Sequence, residues 1–194
     1  MPNWCNNNLT LQHEDPEMIK RAEKAFYDSA LCQEFYPCPQ ELLDTVSGFG
    51  GDGYDKELRE FKNELNIKYF GYPDWYTWRV AKWGSKWDVG IECGGGDGYC
   101  SLEDGTLYLS FLSAWSPPVE FYKHLVELGF VVHATYYEMG CAFCGIFDND
   151  TDECYEIQDD PEWIKANIPQ EILDEHGIYE DYLYMKEEEN AETK

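Results

Sequence analysis

Basic residues are scarce in this chain. Fourteen Lys and Arg stand against 39 Asp and Glu in 194 residues, a net charge of −25. A field of that sign repels phosphate backbones and anionic lipid and draws basic partners, so direct nucleic-acid binding and membrane attachment are not expected. Long apolar runs are missing too: nothing approaches the about eighteen residues a membrane span needs. The opening MPNWCNNNLT lacks the basic-then-apolar pattern of a secretory leader. The eight cysteines are therefore read as reduced thiols of a cytoplasmic protein, most of them small buried hydrophobes.

Catalytic strings are equally lacking. The string GGDGY occurs at Gly50–Tyr54, inside the glycine-rich Ser47–Tyr54, and again at Gly95–Tyr99. Neither copy is followed by Gly-Lys-Ser/Thr, so both read as loops and not as phosphate cradles. His13, His124, His133 and His176 fall in no string with a serine or cysteine nucleophile. Cys141-Ala-Phe-Cys144 has the spacing of half a zinc site, but no second pair completes it. Placed at the start of a strand, residues three apart point to opposite faces. Cys141 and Cys144 are thus weak metal candidates, and no metal or cofactor is expected. Asp148-Asn-Asp-Thr-Asp152 resembles the start of a calcium loop, yet Glu153 stands where such a loop needs glycine, and a hairpin turn is the reading. No enzyme is expected.

What is present is a globular composition, 43% hydrophobic and 16% aromatic. Residues 159–194 hold twelve acidic and three basic residues, a charge of −9, which leaves −16 for the first 158. The acidity is a property of the body and not only of a tail. It serves solubility or complements a basic partner.

The pattern of elements is legible in places. Asn8–His13 alternates as a first strand; Asp15-Pro16-Glu17 starts a helix running to about Ser29. Leu31–Pro39 reads as irregular, and Asp55–Asn66 as an amphipathic helix with Leu58, Phe61 and Leu65 on one face. Short strands follow at Asp88–Cys93 and, most clearly, Thr106–Ala114. Ser116-Pro-Pro opens a helix to about Gly129. Strands then fall at Phe130–Glu138, Cys141–Phe147 and Glu153–Gln158. This βαββαβ order with an extra C-terminal hairpin predicts an α+β, ferredoxin-like split βαβ antiparallel sheet carrying a large insertion at about 31–76. The expected division is a domain over 1–160 and an acidic extension over 161–194. The extension has short helices near Glu162–Ala166 and Gln170–His176 and a disordered KEEENAETK end.

The densest chemistry is Trp75–Asp88, WYTWRVAKWGSKWD, with four of the seven tryptophans and three of the few basic residues, Arg79, Lys82 and Lys86. Aromatics interleaved with cations suit a nucleobase and phosphate. The competing reading is packing of Trp4, Trp83, Trp87 and Trp115 where the sheet meets the helix starts, with Lys86 or Arg79 paired to Asp88 or Glu138. The candidate ligand or partner residues are Trp4, Asn7, Arg79, Trp83, Lys86, Trp87, Asp88, Trp115 and Glu138.

Several strings resemble the YubB-type domain family of conjugative plasmids and bacteriophages. They are Met1-Pro-Asn-Trp-Cys-Asn-Asn-Asn-Leu9, Trp83-Gly-Ser-Lys-Trp-Asp88, Ala114-Trp-Ser-Pro-Pro118, and Tyr137-Glu-Met-Gly140 with Gly145. The family's residues map to Asn3, Trp4, Asn7, Trp83, Lys86, Trp87, Trp115, Pro117, Glu138 and Gly140. The insertion and the acidity depart from its pattern. The resemblance implies a ferredoxin-like fold, no assigned activity, and a mobile-element accessory protein in the host cytoplasm. Together with the charge, it leads to the expectation of a non-enzymatic anti-defence protein that binds and inhibits a basic host protein, as a nucleic-acid (DNA) mimic. The alternative is a nucleotide-binding protein using the Trp/Lys pocket.

Overall fold

The computed structural model describes residues 3–45, 56–96 and 98–192; the glycine-rich loop at Ser47–Tyr54 lies outside them. Strand β1 (Trp4–Gln12) sends Cys5, Asn7, Leu9 and Leu11 to one face, and all four are buried. Asp15 then caps helix α1 (Pro16–Tyr27) by accepting from Glu17 N at 3.0 Å, with Pro16 in its first turn. Ile19, Ala22, Ala25 and Phe26 form its buried stripe. The segment expected to be irregular holds two short helices, α2 (Leu31–Phe35) and α3 (Gln40–Leu43). Helix α4 (Lys56–Phe70) lies within the expected insertion, and α5 (Trp75–Trp83) begins at its end.

Strand β2 lies at Tyr99–Glu103, not at Asp88–Cys93 as the sequence suggested. Asp88-Val-Gly-Ile alternates, but its polar groups are used elsewhere. The Asp88 carboxylate accepts from the backbone of α2, and Ile91 N donates to Phe26 O. Gly90 lies so close to Ser29 that an added Cβ would sit 2.3 Å from its Cα. The Asp104-Gly105 turn, both at positive φ, leads into β3 (Thr106–Ala114), at the bounds the alternation gives. Helix α6 (Val119–Glu127), β4 (Val131–Glu138), β5 (Phe143–Asp148) and β6 (Thr151–Glu156) follow. Last come α7 (Pro161–Asn167), α8 (Gln170–His176) and α9 (Ile178–Glu192). The KEEENAE stretch continues α9 and is helical through Glu192, in line with its good helix formers.

Six strands form one sheet in the order β2-β3-β1-β4-β5-β6, every neighbouring pair antiparallel. Helices α1, α2 and α6 cover one face, over Leu9, Leu11, Leu107, Leu109, Phe111, Val132 and Phe147. The opposite face of β4 and β5 carries a second, smaller core in which Tyr137 and Cys144 meet Ile164, Ile168, Ile172, Leu173 and Ile178 of the C-terminal helices. A polar seam fixes α8 there. Glu175 accepts from Asn8 (3.2 Å) and Thr135, His176 bonds Thr135 (3.0 Å), and Glu171 pairs with His133 (2.8 Å).

Helix α4 forms as the spacing predicts, but its apolar row does not enter the core: Phe61 and Leu65 are exposed. Among the described residues no helix is long and apolar enough to cross a membrane.

Candidate functional site

The tryptophan stretch divides at Gly84. Before it, α5 starts on Asp74, whose carboxylate accepts from Thr77 N at 2.8 Å. The helix ends on Gly84 in the left-handed region, φ +81°. A side chain at Gly84 would also crowd the first turn of α6, with Val119 N 3.1 Å from an added Cβ. Trp78 and Trp83 belong to the core. The Trp83 indole N–H donates to Tyr36 O at 2.8 Å, and the two rings meet edge to face at 5.9 Å. Arg79 stacks its guanidinium on Trp83 (4.5 Å) and Trp75 (5.3 Å), and its Nε has no hydrogen-bond partner among the described residues.

After Gly84 the chain reaches the surface. The Lys86 ammonium lies 4.7 Å from the Trp87 ring, 5.1 Å from Trp115 and 5.8 Å from Tyr76. Trp87 and Trp115 are 37% and 43% exposed, so the aromatic surround is open on one side. The second face of Trp87 is taken by Trp4, 5.6 Å between ring centres. Trp115 has φ +68°, a conformation a bulky side chain adopts only when its surroundings force it. A hydrogen-bonded chain does the forcing. Asn7 donates to Ser113 Oγ (2.8 Å), Ser113 Oγ donates to Ser116 O (2.7 Å), and Ser116 Oγ donates to Gly84 O (2.7 Å). Trp115 N donates to Asn3 O at 2.9 Å.

The nine candidate residues therefore do not share one pocket. Trp4, Lys86, Trp87 and Trp115 gather at the surface, joined by Tyr76, which sequence reasoning missed because it was assigned to the insertion. Asn7, Arg79, Trp83, Asp88 and Glu138 hold the scaffold behind them. Asn7 is fully buried and accepts from the Tyr122 hydroxyl at 3.2 Å. Asp88 accepts from Cys32 N (2.7 Å), Val89 N (2.9 Å) and Gln33 N (3.0 Å), and burial raises its carboxyl above the ordinary range. Glu138, 2% exposed, accepts from Gly140 N (2.7 Å) and Cys141 N (2.6 Å). The ion pairs expected of Lys86 or Arg79 with Asp88 or Glu138 are not made. Both carboxylates are engaged by backbone N–H groups, and both cations by rings.

Beside Trp115 a cleft of about 330 Å³ opens between the start of α6 and the β5–β6 hairpin. Tyr136 and Phe143 line it together with Ser116, Pro117, Asp152 and the exposed Cys154. Gly145 beneath Tyr136 makes that wall possible, since an added Cβ would stand 2.3 Å from the Tyr136 ring and hydroxyl. The hydroxyl donates to Asp152 at 2.8 Å.

Cys141 is exposed and Cys144 buried. Glu138 next to Cys141 raises its thiol, and burial pushes Cys144 up to about 12, so neither is a thiolate at neutral pH. Among the described residues no group of three or more His, Cys, Asp or Glu has the arrangement of a metal site. Asp148–Thr151 forms the β5–β6 turn, with Asn149 Oδ1 accepting from Val132 N at 3.0 Å.

Fold and site together define an α+β protein with a six-stranded antiparallel sheet and an exposed aromatic corner. No family model matches the chain, and no curated protein does. Among solved structures it is similar to api92 from Yersinia pseudotuberculosis, a DUF1281 protein, at 12% identity and a TM-score of 0.40, covering 81% of this chain and 99% of that one.

Proposed function

We propose that this protein is a non-catalytic, acidic accessory protein that binds and inhibits a basic host protein, a nucleic-acid-binding or defence factor, by offering carboxylates where that protein expects phosphates. We also propose that its sheet is ferredoxin-like and that it is a YubB-type protein of a plasmid or phage. The order β2-β3-β1-β4, with α1 leaving β1 and α6 leaving β3, supports the first of these.

The observation that carries the function is the charge of −25, which the few cations do little to offset beyond their immediate neighbours. Lys20, Arg21, Lys24, Lys123 and Lys186 each pair with a carboxylate of this chain. The remaining carboxylates set the far field, which speeds encounter with a basic surface and is screened by salt. The experiment is capture of host-lysate proteins on the tagged chain at low salt, followed by elution toward 1 M, where the Debye length is about 3 Å. Basic polypeptides should be retained and then released. Recovery of none, or binding indifferent to salt, refutes the proposal.

A second reading rests on Lys86. An ammonium held among three rings and, among the described residues, bonded to no carboxylate, beside a cleft, is the equipment for a nucleotide or nucleotide-derived signal. Titrating tryptophan emission with mono-, di- and cyclic nucleotides tests it, because Trp87 and Trp115 report directly. Flat traces at millimolar ligand end it.

A further inference from the structure

Strand β6 leaves one edge of the sheet open. It is last in the strand order, among the described residues pairs with β5 alone, and five of its six residues are exposed. In an antiparallel ladder, alternate residues aim their backbone groups at the partner strand. Ile157 N donates to Ala142 O, and Glu153 O lies beside Gly145 of β5. Asp152, Cys154 and Glu156 therefore aim theirs away from β5, and among the described residues those N–H and C=O groups have no hydrogen-bond partner. The side chains of these three share one face, and on that face Asp152 and Cys154 line the cleft with Tyr136 and Phe143. An unpaired edge beside an apolar hollow suits the uptake of one more strand.

The charge says which kind of strand. Residues 148–160 hold seven carboxylates and no Lys or Arg, and among the described residues Lys186 pairs with one of them, Asp159. The opposite edge, β2, carries one carboxylate, Glu103, against three in β6. Like charges along an edge repel a second copy of that edge, which is how many sheets guard themselves, and they attract a cationic strand. A guard alone needs no hollow.

We propose that β6 takes up an extended basic segment of the partner protein as a seventh, antiparallel strand. Residues directly opposite one another in neighbouring strands point to the same face, with Cβ atoms about 4.5–5.5 Å apart. The segment sets Lys or Arg opposite Asp152 and Glu156, and a large apolar side chain opposite Cys154. From there that side chain leans into the cleft toward Phe143 and Tyr136. The pattern required is cation-x-apolar-x-cation, with the intervening residues on the other face. This rests on the basic partner proposed above and adds how it is held. Attraction by charge alone asks nothing of the partner's backbone, whereas strand addition needs its N–H groups.

Fluorescence anisotropy of the labelled peptide Thr-Lys-Thr-Leu-Thr-Lys-Thr, titrated with the full chain, tests the inference. Saturable binding that weakens with salt is expected. N-methylation at the leucine removes the N–H aimed at Cys154 O and should weaken binding about tenfold. N-methylation at a central threonine, whose N–H points away from β6, should change it by less than about twofold. Cys154→Pro deletes the outward N–H of β6 and spares the β5–β6 ladder, since an edge strand tolerates proline where its N–H faces solvent. It should weaken binding about tenfold with unchanged far-UV circular dichroism. The N-methyl pair leaves the protein unaltered, so it decides even if proline disturbs the fold. No binding at millimolar peptide overturns the inference, and so does an equal loss from both N-methyl peptides. Lysate capture separates this inference from the function it rests on. Basic proteins held equally by the unaltered chain and by folded Cys154→Pro leave the function standing and refute the strand. Peptide binding with the expected N-methyl pattern, but no basic protein captured, upholds the strand and refutes the function.

Discussion

Replacing Asp88 isolates the strut behind the aromatic corner. Its carboxylate accepts from two N–H groups in the first turn of α2, Cys32 and Gln33, and from Val89. Asp88→Ala leaves those donors without an acceptor in a part-buried site. Hydrogen bonds to a charged group are worth about 1.5–3 kcal/mol each, and desolvation of the carboxylate subtracts from their sum, so the net loss is about 2–4 kcal/mol. For a chain of this size that lowers Tm by about 5–15 °C. Asp88→Asn keeps one acceptor oxygen and should cost about half as much. Thermal and urea melts followed by circular dichroism measure both.

The pH dependence adds a second readout. Burial raises the Asp88 carboxyl, so the fold binds its proton more tightly than the unfolded chain does. The stability linked to that proton is present in full below the ordinary carboxylate value and is lost as pH rises through the raised one. Asp88→Asn should lack this part of the profile. An Asp88→Ala cost under about 0.5 kcal/mol, or an asparagine as damaging as alanine, would refute the reasoning.

Tyr122→Phe should cost about 1–2 kcal/mol in a urea melt, because it strands the buried Asn7 Oδ1. Gly145→Ala forces a methyl into the Tyr136 ring and against Glu153 O, 2.5 Å from an added Cβ, and should cost about 1–3 kcal/mol. Adding Tyr136→Ala removes the ring clash but not the one with Glu153 O, so the double variant should be more stable than the sum of the single losses predicts while still less stable than Tyr136→Ala alone, and simple additivity would argue against the ring contact. His176 is held below its ordinary value of 6.5 by burial, so the fold binds its proton less tightly than the unfolded chain does. The stability it contributes is present above that value and lost as pH falls through the lowered one. Urea midpoints should drop as pH falls below 6.5, and His176→Gln should flatten that slope.

Much of the fold was legible because its signals are local. Thr106–Ala114 alternates without interruption, and Asp15-Pro16 carries its own cap, so both elements stand where the residues place them. The strand read at Asp88–Cys93 failed for a reason that is not local. Its alternation is real, but Gly90 packs on Ser29 and Asp88 serves α2, contacts made across about sixty residues. The site was half legible. Composition located the aromatic corner, yet Trp83 and Trp87 look alike in sequence. What separates them is the left-handed turn at Gly84, which keeps one ring in the core and releases the other to the surface. The outward face of α4 could not be read either, since periodicity reveals a stripe but not which way the body turns it.

The place of β1 in the sheet has a consequence for synthesis. Leu9 lies opposite Leu109 on one side and Ala134 on the other, so the earliest strand to be made occupies a central position whose neighbours, β3 and β4, are made about a hundred residues later. At about 5–20 residues per second, roughly 5–20 s of translation separate Leu9 from Leu109, and Ala134 follows later. During that interval Leu9 and Leu11 have no strand to pair with. The centre of the sheet thus closes only once β4, in the last third of the chain, has been made.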